Sequence, residues 1–300
     1  MKKAIFFSFG FLLLHIVCLY VHERVMEKSH LMRSGNEMET MPKDPDIIIL
    51  GGSHSFSIQT HHLPNSVSFS NPSEVPHNTY FKLRYIIEEL KTHPKTIILP
   101  LDLGNLKQTE IDKQPHQFYW NKYEYPTELY PFSKNKNTFV YNRIINYIFP
   151  YLDAETDIFD YLNKKDKAPQ VKLRQERTFQ NLCTKTIPIE NDSCLQAQFS
   201  NLETHFLEKT VALCQAHDIR IVFIRYPVTA NYYGSESSCF SPDEYYSLLG
   251  KRLQFYERIR ILDYHDRYEK IHFRDPHHLK NDSIRVIFTK KVLTDLMKVN

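Results

Sequence analysis

The sequence predicts a doubly wound α/β domain, a three-layer sandwich around a mostly parallel sheet, behind an N-terminal apolar helix. Three observations predict it. Short apolar runs read as covered strands, notably Asp46–Leu50, Thr96–Leu101 and Ile219–Pro227. Amphipathic helical stretches separate or follow them. Turn chemistry such as Gly51-Gly52 and His93-Pro94 closes the elements.

The first element lies at the N-terminus. Lys2 and Lys3 precede Ala4–Val21, 18 residues with no formal charge unless His15 is protonated. As a helix this run spans about 27 Å, near the roughly 30 Å hydrocarbon core of a bilayer. The two lysines favour a cytoplasmic N-terminus. The segment leaves through Cys18-Leu-Tyr-Val-His-Glu-Arg without a small-x-small cleavage site. We therefore expect an uncleaved single-pass signal anchor over 1–21, with a cleaved signal as the alternative. The remainder would then be extracytoplasmic, in the periplasm or at the cell surface. Residues 22–44 are polar and aperiodic and read as a tether.

The α/β domain is expected over 45–300. Asp46–Leu50 is its first strand and Ser66–Ser70 a short second one. Asn78 is positioned to cap a helix reaching about Lys91, with Phe81, Ile86, Ile87 and Leu90 near one face. Thr96–Leu101 follows as the third strand. The pattern resumes with an amphipathic helix over Glu203–His217, a strand over Ile219–Pro227, a helix from Ser241, a strand over Arg258–Tyr264 and a last helix over about 281–298. Between the halves, residues 106–200 are polar and aromatic-rich, as in FYWNKYEYP at Phe118–Pro126. This reads as a helical insertion, either a peripheral subdomain with its own small core or a lid over the site.

Composition narrows the function classes. A net charge of +3 over 300 residues, with scattered Lys and Arg, argues against a nucleic-acid surface. Cys183, Cys194, Cys214 and Cys239 make an even number outside the apolar run, compatible with an oxidising compartment and with three connectivities. His265, Asp266, His272, His277 and His278 fit no helical metal-ligand spacing, so no metal or other cofactor is expected. Arg225, at the end of a strand, could meet an anionic substrate but reads first as a core-edge or solvated arginine.

The chemistry concentrates in DIIILGGSHS, residues 46–55. Ligands of open α/β sheets sit at the carboxyl ends of the strands, where Gly51–Ser55 falls. A phosphate cradle would need further glycines or a P-loop lysine, and neither follows. A tight structural turn is one remaining reading. The other is a serine nucleophile at Ser53, with Gly52 leaving room for a carbonyl and the Ser53 N–H facing the developing oxyanion. A nucleophilic serine needs a base held by a carboxylate. FRDPHHLK at 273–280 supplies both, because Asp275 and His278 stand three apart just before the last helix. His277 is a rival base. His54 has no assigned role beyond lining the site.

GGSH after the first strand, with DPHHL before the last helix, resembles the SGNH/GDSL hydrolase superfamily over about 46–105 and 203–298. The resemblance implies a flavodoxin-like three-layer fold and a Ser53–His278–Asp275 triad. The Gly-x-Ser-His form behind an anchor is similar to the membrane-tethered branch of that superfamily. Those relatives work beside membrane-bound O-acyltransferases on alginate, other exopolysaccharides or teichoic acid. The implied substrate is an acylated glycan or small ester, and the implied partner a membrane-bound O-acyltransferase. Two blocks depart from the pattern. NPSEVPHN after the second strand has no glycine, so Asn71 or Ser73 would have to serve as oxyanion donor, and LPLDLGNL after the third leaves Asn105 or Asp102 for the next position. These departures keep a second expectation open: an inactive scaffold or glycan-binding partner of an envelope acyltransferase. A secreted phosphate-binding module is a third.

Overall fold

The computed structural model describes residues 2–26, 38–71, 74–102, 111, 123–149, 201–237, 246, 249–251 and 258–298. The chain divides into two compact units, one formed by residues 1–40 and 110–170, the other by 41–109 and 171–300.

In the first unit, α1 (Lys2–Met26) runs five residues beyond the expected apolar segment, into the stretch read as tether. Its window Phe7–Arg24 is long and apolar enough to cross a membrane, and only 6% of it is buried. Phe7, Leu14 and Tyr20 all face outward.

The α/β unit contains β1 (Ile47–Ile49), β2 (Ser66–Ser68), α2 (Pro76–Arg84), β3 (Thr96–Pro100), and later β4 and β5. Between β3 and β4 the first unit contributes the short α3 (Pro126–Leu129) and α4 (Lys136–Ile148), the described helices of the expected insertion. The α/β unit resumes with α5 (Asn201–Ala216), β4 (Arg220–Arg225), α6 (Ala230–Ser237), β5 (Ile259–Asp263), the hairpin β6 (Phe273–Asp275) and β7 (His278–Leu279), and α7 (Asp282–Met297).

The five strands β2-β1-β3-β4-β5 are all parallel. This 2-1-3-4-5 order is the flavodoxin-like one, and its switch point lies between β1 and β3. Register is tight across the sheet: Ile48 faces Val67 and Ile97, Ile97 faces Ile221, and Ile221 faces Ile259.

Alternation along the strands builds two buried faces. On one, Ile49, Ile98, Val222, Ile224 and Leu262 pack with Phe288 and Val292 of α7. Ile48, Ile97, Leu99, Ile221 and Phe223 are buried on the other. There α2 and α5 lie together, with the Phe81 and Phe206 rings 5.1 Å apart. A fully buried pair ties those helices: Glu203 accepts from the His77 N–H at 3.0 Å and holds His77 Nδ1 at 2.9 Å. A carboxylate there also offsets the positive end of α2.

Element ends explain small departures from expectation. α2 begins at Pro76, a residue suited to the first turn, and Asn78 reaches back to the Val75 N–H from inside the helix rather than capping it. The helix widens into a π turn over Tyr85–Glu89 and closes before Lys91, which adopts φ 53°. Asn281 caps α7 by accepting from the Ile284 N–H at 3.1 Å. Cys214 is a buried free thiol in α5 whose pKa burial pushes up to about 12. Cys183, Cys194 and Cys239 lie outside the described residues, as does Ser241.

Candidate active site

Because the sheet is parallel, the segments leaving β1, β3, β4 and β5 emerge along one edge. Ser53, Asp102, Tyr226 and the β6–β7 hairpin all belong to these segments.

The chain leaves β1 through Gly51, which adopts φ 107°. A Cβ there would lie 2.4 Å from the Pro100 ring, so conformation and space both demand glycine. Gly52 passes the Glu74 backbone carbonyl closely enough that a Cβ would sit 3.3 Å from its oxygen. A 3-10 turn, Ser53–Ser57, follows at once. The first N–H groups of such a turn have no partner within it, and Ser53 occupies its first position. Ser55 pins the turn by donating from Oγ to Leu50 O at 3.0 Å.

A buried network lies beneath this loop. Glu74 accepts from Lys82 Nζ at 2.5 Å and from Thr79 Oγ1 at 2.8 Å, and the Gly51 N–H also donates to it. Lys82 Nζ donates as well to Phe69 O at 2.5 Å. Burial raises the Glu74 carboxyl and lowers the Lys82 ammonium, each partly offset by the partner's charge. The loop after β1, the segment after β2 and α2 are thereby joined through one ion pair.

The β6–β7 hairpin carries Asp275 and His278. β6 and β7 are antiparallel, and Asp275 stands directly across from His278 in the ladder. The three-residue spacing is therefore the span of a tight turn through Pro276 and His277. Thr229 holds that turn, donating from N and from Oγ1 to Pro276 O, both at 2.9 Å.

These elements bring the expected triad residues together. His278 Nε2 lies 2.8 Å from Ser53 Oγ, and His278 Nδ1 lies 2.8 and 2.9 Å from the two Asp275 oxygens. With Nδ1 donating to Asp275, Nε2 is left to accept the serine proton. Burial works to raise the Asp275 carboxyl, but the hydrogen bond and charge of His278, with the His277 N–H, outweigh it and hold the group well below the ordinary carboxylate range. Arg274 Nε also donates to Asp275, at 3.2 Å. His277, the rival base, makes no hydrogen bond to Ser53 among the described contacts; its ring lies between those of His278 and Tyr232, with centroids 4.1 and 4.8 Å away. Burial, the neighbouring His278 and the lesser effects of His54 and Arg274 push its pKa down to about 4, against the pull of Asp275.

The expected oxyanion donors fall differently. Gly52 is in place beside Ser53. Asn71 is fully buried and its backbone N–H donates to Gly51 O at 3.0 Å, so only its side chain remains to offer. Its Nδ2 reaches Phe69 O at 3.4 Å. Ser73 and Asn105 lie outside the described residues. Asp102 is engaged: Oδ2 holds His54 Nδ1 at 2.7 Å and Oδ1 accepts from the Tyr226 N–H at 3.2 Å. Sequence reasoning misses this second histidine–carboxylate pair. GGSH and LPLDL contain its members, but only the β1–β3 pairing brings them together. The Glu74–Lys82 pair leaves no signal either, since eight residues separate its members. Arg225 is a core-edge residue, as expected, bonded to Asp263 and stacked 4.0 Å over Tyr246.

A cleft of about 590 Å³ opens at the other, amino-terminal edge of the sheet, between Asp46, Lys95 and Arg258. Lys95 pairs there with Asp46 and Arg258 with Asp218, Arg220 also lines the cleft, and Ser53, His278 and Asp275 lie at the opposite strand ends.

No family model matches the chain, and no curated protein matches it in sequence. Among solved structures it is similar to a provisionally assigned platelet activating factor from Streptococcus pneumonia, at 10% identity and TM-score 0.45, covering 97% of this chain and 99% of that one. It is also similar to a provisionally assigned acylhydrolase from Bacteroides fragilis, at 12% identity and TM-score 0.41, covering 89% and 97%. A GDSL-like lipase from Bacteroides thetaiotaomicron shares 8% identity at TM-score 0.41, covering 89% and 98%. Acylhydrolase and GDSL-like lipase structures are thus among its structural neighbours. The chemistry of the site rests on its own geometry.

Proposed function

We propose that the protein is an SGNH-type serine esterase or acyltransferase acting on acyl groups, O-acetyl foremost, of a cell-envelope glycan. The observation that carries this reading is the continuous hydrogen-bond chain from Ser53 through His278 to Asp275. Ser53 Oγ attacks the ester carbonyl as His278 Nε2 takes its proton. Asp275 stabilises the resulting imidazolium. His278 then returns the proton to the leaving alcohol, and water or an acceptor hydroxyl releases the acyl group from Ser53 by the reverse sequence. The Ser53 N–H, with Gly52 clearing the approach, is the first oxyanion donor. α1 is long and apolar enough to anchor the chain in a membrane. The extracytoplasmic placement of the α/β unit rests on Lys2 and Lys3 ahead of that helix, and the membrane-bound O-acyltransferase partner on the sequence resemblance alone. Purified full-length protein in detergent is expected to hydrolyse p-nitrophenyl acetate, with Ser53→Ala losing that activity. Equal rates in both proteins contradict the reading.

A second reading has its own observation. The Asn71 N–H, one of the expected oxyanion donors, is committed to Gly51 O. A fold that keeps the triad but lacks this donor suits a glycan-binding scaffold of the same acyltransferase. Absence of turnover, combined with glycan binding, favours it.

A further inference from the structure

The triad accounts for Ser53, His278 and Asp275 and leaves His54 and His277 without a task. One ring nitrogen of each of His54, His277 and His278 lies within 4.8 Å of the other two. The Nδ1 atoms of His54 and His278 are held by Asp102 and Asp275 at 2.7 and 2.8 Å. With Nδ1 of each ring bonded to a carboxylate, Nε2 is the atom each would turn toward a cation. A carboxylate behind a histidine is the arrangement that orients imidazole toward a metal and raises its basicity. Here it occurs twice, once after β1 at His54 and once in the β6–β7 hairpin at His278. The two carboxylates also supply negative charge against a divalent cation, with Arg274 the one cation bonded to either of them among the described contacts.

We propose that His54, His277 and His278 form a binding site for a borderline transition-metal cation of the zinc class, and that its occupancy switches the serine off. Three imidazoles select zinc-like ions over magnesium or calcium, which take oxygen ligands. Tetrahedral coordination at 2.0–2.1 Å needs nitrogens about 3.3 Å apart, so the cluster must tighten by up to about 1.5 Å. The fourth position is open to water. The lone pair of His278 Nε2 that bonds the cation is the one that accepts the Ser53 proton, so cation and nucleophile compete for it. The binding stands on the histidine geometry alone, whereas the switching rests on the serine-hydrolase reading above.

The test uses full-length protein in detergent, freed of metal by chelation and titrated with ZnCl2 by calorimetry and with CoCl2 by absorbance. One saturable equivalent is expected, with no response to MgCl2. Ser53→Ala should bind zinc at least as tightly as wild type. His54→Gln and His277→Gln should weaken binding at least about tenfold, and Asp102→Asn about ten- to a hundredfold. Hydrolysis of p-nitrophenyl acetate should fall over the same zinc range, while His277→Gln stays active without zinc and requires at least about tenfold more zinc for inhibition. No saturable binding, binding indifferent to His54→Gln and His277→Gln, or full activity in the zinc-loaded protein overturns the proposal. Zinc binding with the expected variant pattern, in a zinc-free protein that hydrolyses nothing, supports the cation site and instead sinks the serine-hydrolase reading.

Discussion

His278 Nε2 stands 2.8 Å from Ser53 Oγ although 225 residues separate them in the chain. Parallel pairing makes that proximity possible, because the turn after β1 and the hairpin after β5 both leave the sheet at its carboxyl edge. Asp275 completes the line from across the hairpin ladder. If Asp275 orients the imidazole, Asp275→Asn should keep the fold yet lower kcat for p-nitrophenyl acetate by about 10³–10⁴-fold, since an amide selects the wrong tautomer. Circular dichroism alongside the rate measurement checks that the loss is chemical. A drop of less than tenfold contradicts the assignment.

Gly51 sets the exit from β1. Gly51→Ala forces an L side chain into φ 107° and into the Pro100 ring. The backbone alone costs about 1–3 kcal/mol. Thermal denaturation should show a clear loss of stability. Gly52→Ala should cost less, since its Cβ meets one carbonyl oxygen at 3.3 Å.

The Lys82–Glu74 pair lies fully buried beside the loop that follows β1. Lys82→Met leaves an uncompensated carboxylate there and should destabilise the protein by about 3–5 kcal/mol. Adding Glu74→Gln should recover part of the loss, because a neutral amide needs no counter-ion. Denaturant unfolding of the single and double variants measures both. A double variant no more stable than the single one contradicts the charge argument.

His277 makes stability depend on pH. Its folded pKa, pushed down to about 4, lies below the ordinary histidine value of 6.5. Between those values the unfolded chain binds a proton that the folded chain does not, so stability falls as pH drops through this window. The ring is one-third exposed, so after solvent screening the loss is on the order of 1–2 kcal/mol. Asp275 acts outside this window: its depressed folded pKa gives stability present above about pH 4 and lost only at stronger acidity. His277→Asn should flatten the decline between pH 6.5 and 4 in denaturant unfolding curves, and an unchanged slope contradicts the assignment.

The strands, the last helix and the triad residues are legible in the sequence because each leaves a local mark. Buried parallel strands are continuous apolar runs, a glycine pair before Ser-His stands out in a chain with seven glycines, and Asp-x-x-His is a short-range motif. The hairpin reads as a loop because its strands, three and two residues long, are too short to show alternation. What stays hidden is long-range. Asp102 meets His54 only once β3 pairs with β1, and Lys82 reaches Glu74 only by folding back under the loop. The sequence leaves the Asn71 backbone N–H open as an oxyanion donor, and the approach of Gly51 to the segment after β2 takes that N–H instead.

The central claim is that Ser53 is a nucleophile activated by His278. Labelling of the full-length protein with a fluorophosphonate, followed by peptide mass spectrometry, tests it most directly. One adduct is expected, on Ser53, formed far more slowly in His278→Ala. No adduct on Ser53 in a folded protein, or equal labelling with and without His278, would contradict it.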